Sequence, residues 1–293
     1  MRKIKTLVII LLLTAAGFYL YQQKKQDPIS LSASELAQGD TLLIKMNGSA
    51  SEEKITGEFG SRKIDFFQQT AILGIDVNER PGEHILIINL PSGKKIEKII
   101  NISKTDFPTT ELLVTKELRK KGYTPQKIVG NIQGEEGLTL KKIISTYTPK
   151  IYFDKAFINP LKEIKIVGAF GIIKKTGSST IQHLGVDLDA EIGTEVLASN
   201  DGKVSFSREL PDYGRTLIID HGLGIYSLYL HLEEFKTFEG KLVKQGQVIG
   251  LSGNSGYSIA PHLHFSIKIN NANVDPLKFL ETTQSWRNSN ILE

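Results

Sequence analysis

Three short motifs set imidazole and carboxylate groups at spacings that suit chemistry. In His183-Leu-Gly-Val-Asp187 a His and an Asp stand four residues apart, in His262-Leu-His264 two His stand two apart, and Tyr229-Leu-His231 repeats the two-residue step. Positions i and i+4 share a face on a helix or on a strand, whereas i and i+2 share one only on a strand. Gly185, Val186 and Leu188 favour extended chain, so His183, Gly185 and Asp187 are expected to point one way, and Leu263 to face a core. Three strands would then offer imidazole or carboxylate to one side of a sheet. The chain has six His and no Cys. Disulfides, thiolate metal sites and cysteine nucleophiles are therefore excluded, and a bound metal must be held by His, Asp or Glu. A His2Asp set is a known zinc arrangement in which three protein ligands leave a fourth position for water. Up to two imidazoles would remain for proton chemistry. The HExxH helix of other zinc peptidases is absent.

The elements that must position these groups read as mostly β. From 40 to 114 about seven short apolar runs alternate with turn signals such as Asn47-Gly48, Pro81-Gly82 and Pro91-Ser92-Gly93, the rhythm of an immunoglobulin-like β-sandwich. Residues 26–39, polar and containing Pro28, read as a linker. Residues 115–157 read as a connector with two short helices, since Gly130, Gly134 and Gly137 argue against one long helix. Strands punctuated by Gly return over 158–280, and 281–293 read as a polar tail. Arg2, Lys3 and Lys5 precede an apolar run, Leu7 to Tyr21, that is short for a ~30 Å hydrocarbon core. Residues 1–25 are thus expected to be an export signal, an uncleaved membrane anchor in preference to a cleaved signal peptide, with the rest of the chain outside the cytoplasm. A net charge of +4, scattered over the chain, gives no reason to expect nucleic acid as a partner.

Other candidates take plainer readings. His84 alternates within a strand, His221 sits at a strand end where a turn hydrogen bond or a contact behind the site is expected, and Asp189 reads as a surface acid. Tyr226 and Tyr229 either pack or line a cleft, Arg119-Lys120-Lys121 is a solvated face, and Trp286 lies in the tail. The many Gly form no phosphate loop.

Taken together, HLGVD (183–187), GTEVLASNDGKV (193–204), IIDHGLGIYSLYLHL (218–232), VKQGQVIGLSGNSG (243–256) and APHLHF (260–265) resemble the lysostaphin/LytM-type family of zinc endopeptidases, which cut peptidoglycan peptides. The resemblance covers roughly 125 residues, in the family's order. It implies a C-terminal antiparallel β-sheet peptidase domain and one Zn2+ per chain held by His183, Asp187 and His264. His231 and His262 become unliganded catalytic histidines, with His262 preferred as base and His231 as oxyanion stabiliser, roles that could be exchanged. The expected fold class is mainly β: immunoglobulin-like sandwich, short helical connector, LytM-type peptidase domain. Departures from the family's pattern include Gly168-Ala169-Phe170-Gly171-Ile172, Tyr257, Ile259-Ala260, and Ser266 where a charged residue commonly follows HLHF. Expected partners are peptidoglycan peptide stems or cross-bridges, the cytoplasmic membrane through residues 7–21, and wall-synthesis or division proteins. The competing reading is a non-catalytic LytM-like adaptor that activates a wall amidase.

Overall fold

A computed structural model describes residues 27–47, 55–67 and 69–288 of the chain. It is mainly β, with a β-rich N-terminal unit and a β-rich C-terminal unit joined by short helices. The proposed membrane segment lies outside the described residues, among which no helix is long and apolar enough to cross a membrane.

The C-terminal unit is built on an antiparallel sheet in the order Ile166–Gly168, Val186–Asp189, His262–Ile269, Ile225–Leu232, Gly214–Gly222, Gly202–Leu210, Leu242–Val243, with Ala272–Val274 paired to His262–Ile269. Its central strands are buried on both faces, as the near-continuous apolar run IYSLYLHL requires. Leu217, Ile219, Tyr229, Leu263, Phe265 and Ile267 face the main core, which the small sheet of Glu195–Leu197, Val248–Leu251 and Glu234–Phe235 helps to close. On the opposite face Phe206, Ile218, Tyr226, Leu228 and Leu230 pack beneath Leu140. Polar residues claim the rest of that second face, at the end where Val186–Asp189 pairs with His262–Ile269.

The N-terminal unit consists of a three-stranded sheet (Ile29–Leu31, Thr41–Met46, Thr70–Gly74) and a five-stranded sheet (Glu35–Ala37, Lys95–Ser103, Gly82–Asn89, Thr56–Phe59, Arg62–Asp65). Leu42, Ile44, Phe59, Ile64, Leu86 and Ile100 fill the core they share. Its strand order includes a parallel Glu35–Ala37/Lys95–Ser103 pair, so the unit is a two-sheet β module. His84 stacks on Phe59 within this unit, far in the fold from the other His.

Four boundaries differ from the sequence reading. The stretch 26–39 is not a linker: Ile29 and Leu36 are buried, and its two strands join both sheets. The end of the stretch 40–114, read as part of the sandwich, instead holds Thr109–Glu111, which pairs in parallel with Ile173–Thr176 of the C-terminal unit. The connector forms three helices, Lys116–Lys120, Pro125–Gln133 and Glu135–Ile144, because Thr115 and Thr124 each cap a new N-terminus and Gly134 divides the last two. The last helix, Pro276–Asn288, continues past residue 280, with Asp275 accepting from Leu277 N and with Phe279 and Leu280 buried.

The two units are fastened together. Asp76 accepts from the backbone and side-chain nitrogens of Asn273 at 2.7 and 2.8 Å, and Asp275 N donates to Gly39 O at 2.8 Å. Gly74 is pressed against the other unit: a Cβ there would stand 2.9 Å from Val274 Cγ1.

His221 is fully buried away from the cleft. Its Nδ1–H donates to Asp201 O at 2.8 Å, its Nε2 meets Ser227 Oγ at 2.7 Å, and its ring packs on Phe157. Burial pushes its pKa down to about 4. The unfolded chain, with an ordinary His value near 6.5, therefore binds the extra proton first. Stability is expected to be unaffected above pH ~6.5, to fall as the pH drops from there to about 4, and to lose roughly 3 kcal/mol in all. Urea unfolding of the wild type and His221→Gln across that range checks this. Equal acid sensitivity in both proteins would refute it.

Candidate metal centre

The chain reaches the site from four directions. His183 follows the Ser179–Gln182 strand in a short non-strand segment, Asp187 belongs to Val186–Asp189, His262 and His264 to His262–Ile269, and His231 to Ile225–Leu232. His183 and Asp187 thus do not share a strand, as the spacing had suggested. The chain turns at Gly185, where a Cβ would come within 2.5 Å of His264 Nε2 and closer still to Ser266 Oγ. Glycine is required because the backbone passes directly against a site side chain.

Three side-chain atoms converge. His183 Nε2 lies 2.9 Å from Asp187 Oδ1 and 3.0 Å from His264 Nδ1, and His264 Nδ1 lies 2.8 Å from Asp187 Oδ1. One ligand atom from each of these residues lies within 4.8 Å of the others, and among the described residues no other three His, Asp or Glu converge in this way. Donors on a tetrahedral ion with bonds of ~2.0–2.2 Å stand ~3.3–3.6 Å apart, so a few tenths of an ångström of spreading would fit one. The ring nitrogens pointing away are spoken for. His183 Nδ1 donates to Ala169 O at 2.7 Å, and His264 Nε2 meets Ser266 Oγ at 2.9 Å. That leaves Nε2 of His183 and Nδ1 of His264 as the free lone pairs.

Two more imidazoles border this group. His262 Nε2 lies 3.5 Å from Asp187 Oδ1, while its Nδ1 donates to Ala260 O at 2.8 Å. The ring of His231 lies 4.8 Å from that of His262 and 6.1 Å from that of His264. Strict alternation from Tyr229 would turn His231 into the core, since Tyr229 bonds Ser199 and Ser227 there. A bulge intervenes. Leu217 opposes Tyr229 but Arg215 opposes Leu232, and His231 adopts φ +62°. A left-handed conformation at a non-Gly residue costs on the order of 1 kcal/mol and recurs where a bulge aims a functional side chain. Ser255 O then takes the His231 Nδ1–H at 2.9 Å.

Electrostatics follow from this crowding. Burial opposes ionisation of Asp187, but the three imidazoles crowded around it, His183, His262 and His264, outweigh burial and hold the carboxyl well below the usual range. Burial, reinforced by His262 and His264, pushes His231 down to about 3, and burial takes His264 to about 4. Burial also works against a charge on His262, yet Asp187 raises it on balance.

A cleft of about 1020 Å³ runs over the group. Its far wall is the connector, including Ile132, Leu138 and Ile144. Glu136 pins that wall by accepting from Asp212 N and Tyr213 N, and Tyr257 Oη donates to Leu113 O at 2.6 Å. Tyr226 and Tyr229 are packing residues outside the cleft, and Asp189 pairs with Lys165 at 2.6 Å near its rim. Missing from the sequence reading were the carbonyls of Ala169, Ser255 and Ala260 and the hydroxyl of Ser266. A backbone acceptor leaves no mark on residue type. Ser266 did stand out, but only as a departure from the family's pattern.

Residues 181–276 match the model of Peptidase family M23. The chain is 39% identical over 121 residues to the DD-carboxypeptidase/endopeptidase Mpg of Neisseria meningitidis serogroup B, covering 41% of this chain and 28% of that protein. It is 32% identical over 155 residues to the peptidoglycan DD-endopeptidase ShyB of Vibrio cholerae, covering 51% and 33%. The matches thus span about a third or less of these curated relatives. A Pseudomonas aeruginosa structure assigned to peptidase M23 shares the fold over 83% of this chain and 94% of that one, with TM-score 0.57 at 18% identity. The C-terminal unit carries a peptidase M23 domain.

Proposed function

We propose that this chain is a zinc-dependent endopeptidase that hydrolyses peptide cross-links of cell-wall peptidoglycan on the outer side of the cytoplasmic membrane. The observation that carries the reading is the convergence of His183, Asp187 and His264 with two further imidazoles in one cleft. Those three residues would hold the metal, an N2O donor set that suits zinc and leaves one position open. Bound zinc lowers the pKa of water towards ~7 and polarises a carbonyl oxygen.

The chain's own groups supply the proton steps. His231 gives its Nδ1–H to Ser255 O, so its Nε2 is a free acceptor, and burial keeps the ring neutral. It takes the proton of the attacking water and returns it to the leaving amine. His262 faces acceptors at both ring nitrogens, Ala260 O and Asp187 Oδ1, so its Nε2 is a donor. It is placed to stabilise negative charge developing on the scissile carbonyl. This division is the reverse of the one preferred from sequence. The connector wall restricts water and orients an extended peptide along the His262–Ile269 strand.

Peptide cleavage is preferred over glycan cleavage, which in most families needs two carboxyls flanking the bond. Among the described residues, Asp187 belongs to the metal group, Asp189 to an ion pair, and Asp212 and Glu136 to a buried pair under the wall. Purified protein added to sacculi is expected to release free amines and no reducing sugar, and a chelator should abolish the release. Reducing ends without amines would overturn the reading. Binding to sacculi with no bond broken would favour the amidase-activating adaptor.

A further inference from the structure

Ser266 and Lys268 continue the strand face that carries His262 and His264, and neither has a part in the proton steps. Both are buried. Lys268 Nζ donates to Leu184 O at 3.1 Å and to Asn273 Oδ1 at 2.5 Å. Leu184 O also accepts the Ser266 hydroxyl at 2.9 Å, and Ser266 Oγ lies 2.9 Å from His264 Nε2. Asn273 in turn donates through Nδ2 to Asp76 of the N-terminal unit.

The direction of each bond is set by chemistry. Carbonyl and carboxylate oxygens only accept, so Lys268 must donate at both contacts, and Asn273 must turn its Nδ2 to Asp76. The single hydroxyl proton of Ser266 is taken by Leu184 O. Ser266 Oγ is then left as an acceptor, and the bond to His264 closes only with a proton on Nε2. That is the tautomer whose Nδ1 lone pair faces Asp187 and His183.

We infer that Ser266 is a positioning residue for the metal centre, fixing the ring angle and tautomer of His264, and that Lys268 holds the Leu184 carbonyl on which Ser266 hangs. The inference rests on the metal reading above and goes beyond it. It gives a role to a residue that departs from the family's pattern, and it extends the centre's support to Asp76 in the other unit. The same clamp seats Leu184 between His183 and Gly185, so two of the three proposed ligands share it.

The test is zinc affinity of the full chain, measured by chelator competition, with metal-free thermal unfolding as the check on folding. Partners of this kind typically contribute 10- to 100-fold to metal affinity. Ser266→Ala is expected to weaken zinc binding by that factor while its metal-free unfolding stays near wild type. Ser266→Thr, which keeps the hydroxyl on a strand, is expected to recover most of the loss. Lys268→Met should weaken zinc binding several-fold. In zinc-loaded wild type the His264 Nε2–H should exchange slowly enough to be seen by NMR, and in Ser266→Ala it should not. Unchanged affinity in Ser266→Ala, or a Thr variant no better than Ala, would overturn the inference, and unchanged affinity in Lys268→Met would remove Lys268 from it. Wild type that takes up no zinc would remove the metal reading together with it.

Discussion

His264→Ala is expected to yield a folded protein that no longer retains zinc through dialysis and hydrolyses no wall peptide above background. Only His183 and Asp187 would remain of the three converging atoms, and two protein donors do not make a zinc site of this type. The loss should exceed the 10- to 100-fold expected of a supporting contact. Metal analysis of the purified variant, with circular dichroism to confirm folding, decides the matter. Full zinc content would sink the ligand assignment, and with it the proposed mechanism.

The second large effect separates metal holding from proton handling. His231→Ala and His262→Ala should each keep zinc and fold, while kcat falls by ~10²–10⁴. The two variants should differ in their pH profiles. A base must be unprotonated to act, so wild-type kcat/KM should rise with pH on its acid limb. Burial and neighbouring imidazoles hold His231 down to about 3, which puts that limb below the usual His range. His231→Ala should lose the acid limb and His262→Ala should keep it at reduced rate. Wild-type rates in both variants would show that the cleft does not work as a peptidase centre.

Residue type and spacing singled out the side chains of the site before any coordinates. Three motifs named five side chains, and the structure gathers all five around one cleft. What spacing could not supply was the path of the backbone between them. Gly185 turns a supposed strand into a bend, and a bulge turns His231 away from the face of Tyr229. Both features depend on tertiary contact, with His264 in one case and with Ser255 O in the other. The β-rich character of the N-terminal unit was readable from its alternation and turns. Its true start was hidden by the polar residues around Ile29 and Leu36, each of which is one buried residue in a three-residue strand. The helical wall could be read as helix but not as wall, since the contacts of Glu136 and Tyr257 span 76 and 144 residues of sequence.

The strand Thr109–Glu111 has a consequence for how this architecture can evolve. It leaves the N-terminal unit and completes a sheet in the C-terminal one, while Gly74 and Asp76 cover Val274 and Asn273 from the other side. A C-terminal part transplanted from residue 158 onward would lose a pairing partner for Ile173–Thr176, the connector wall of its cleft, and the cover over an apolar corner. Exchange of the front half for another module is therefore restricted here. Removing the front half would strip the metal centre of these supports, so the two halves depend on one another structurally.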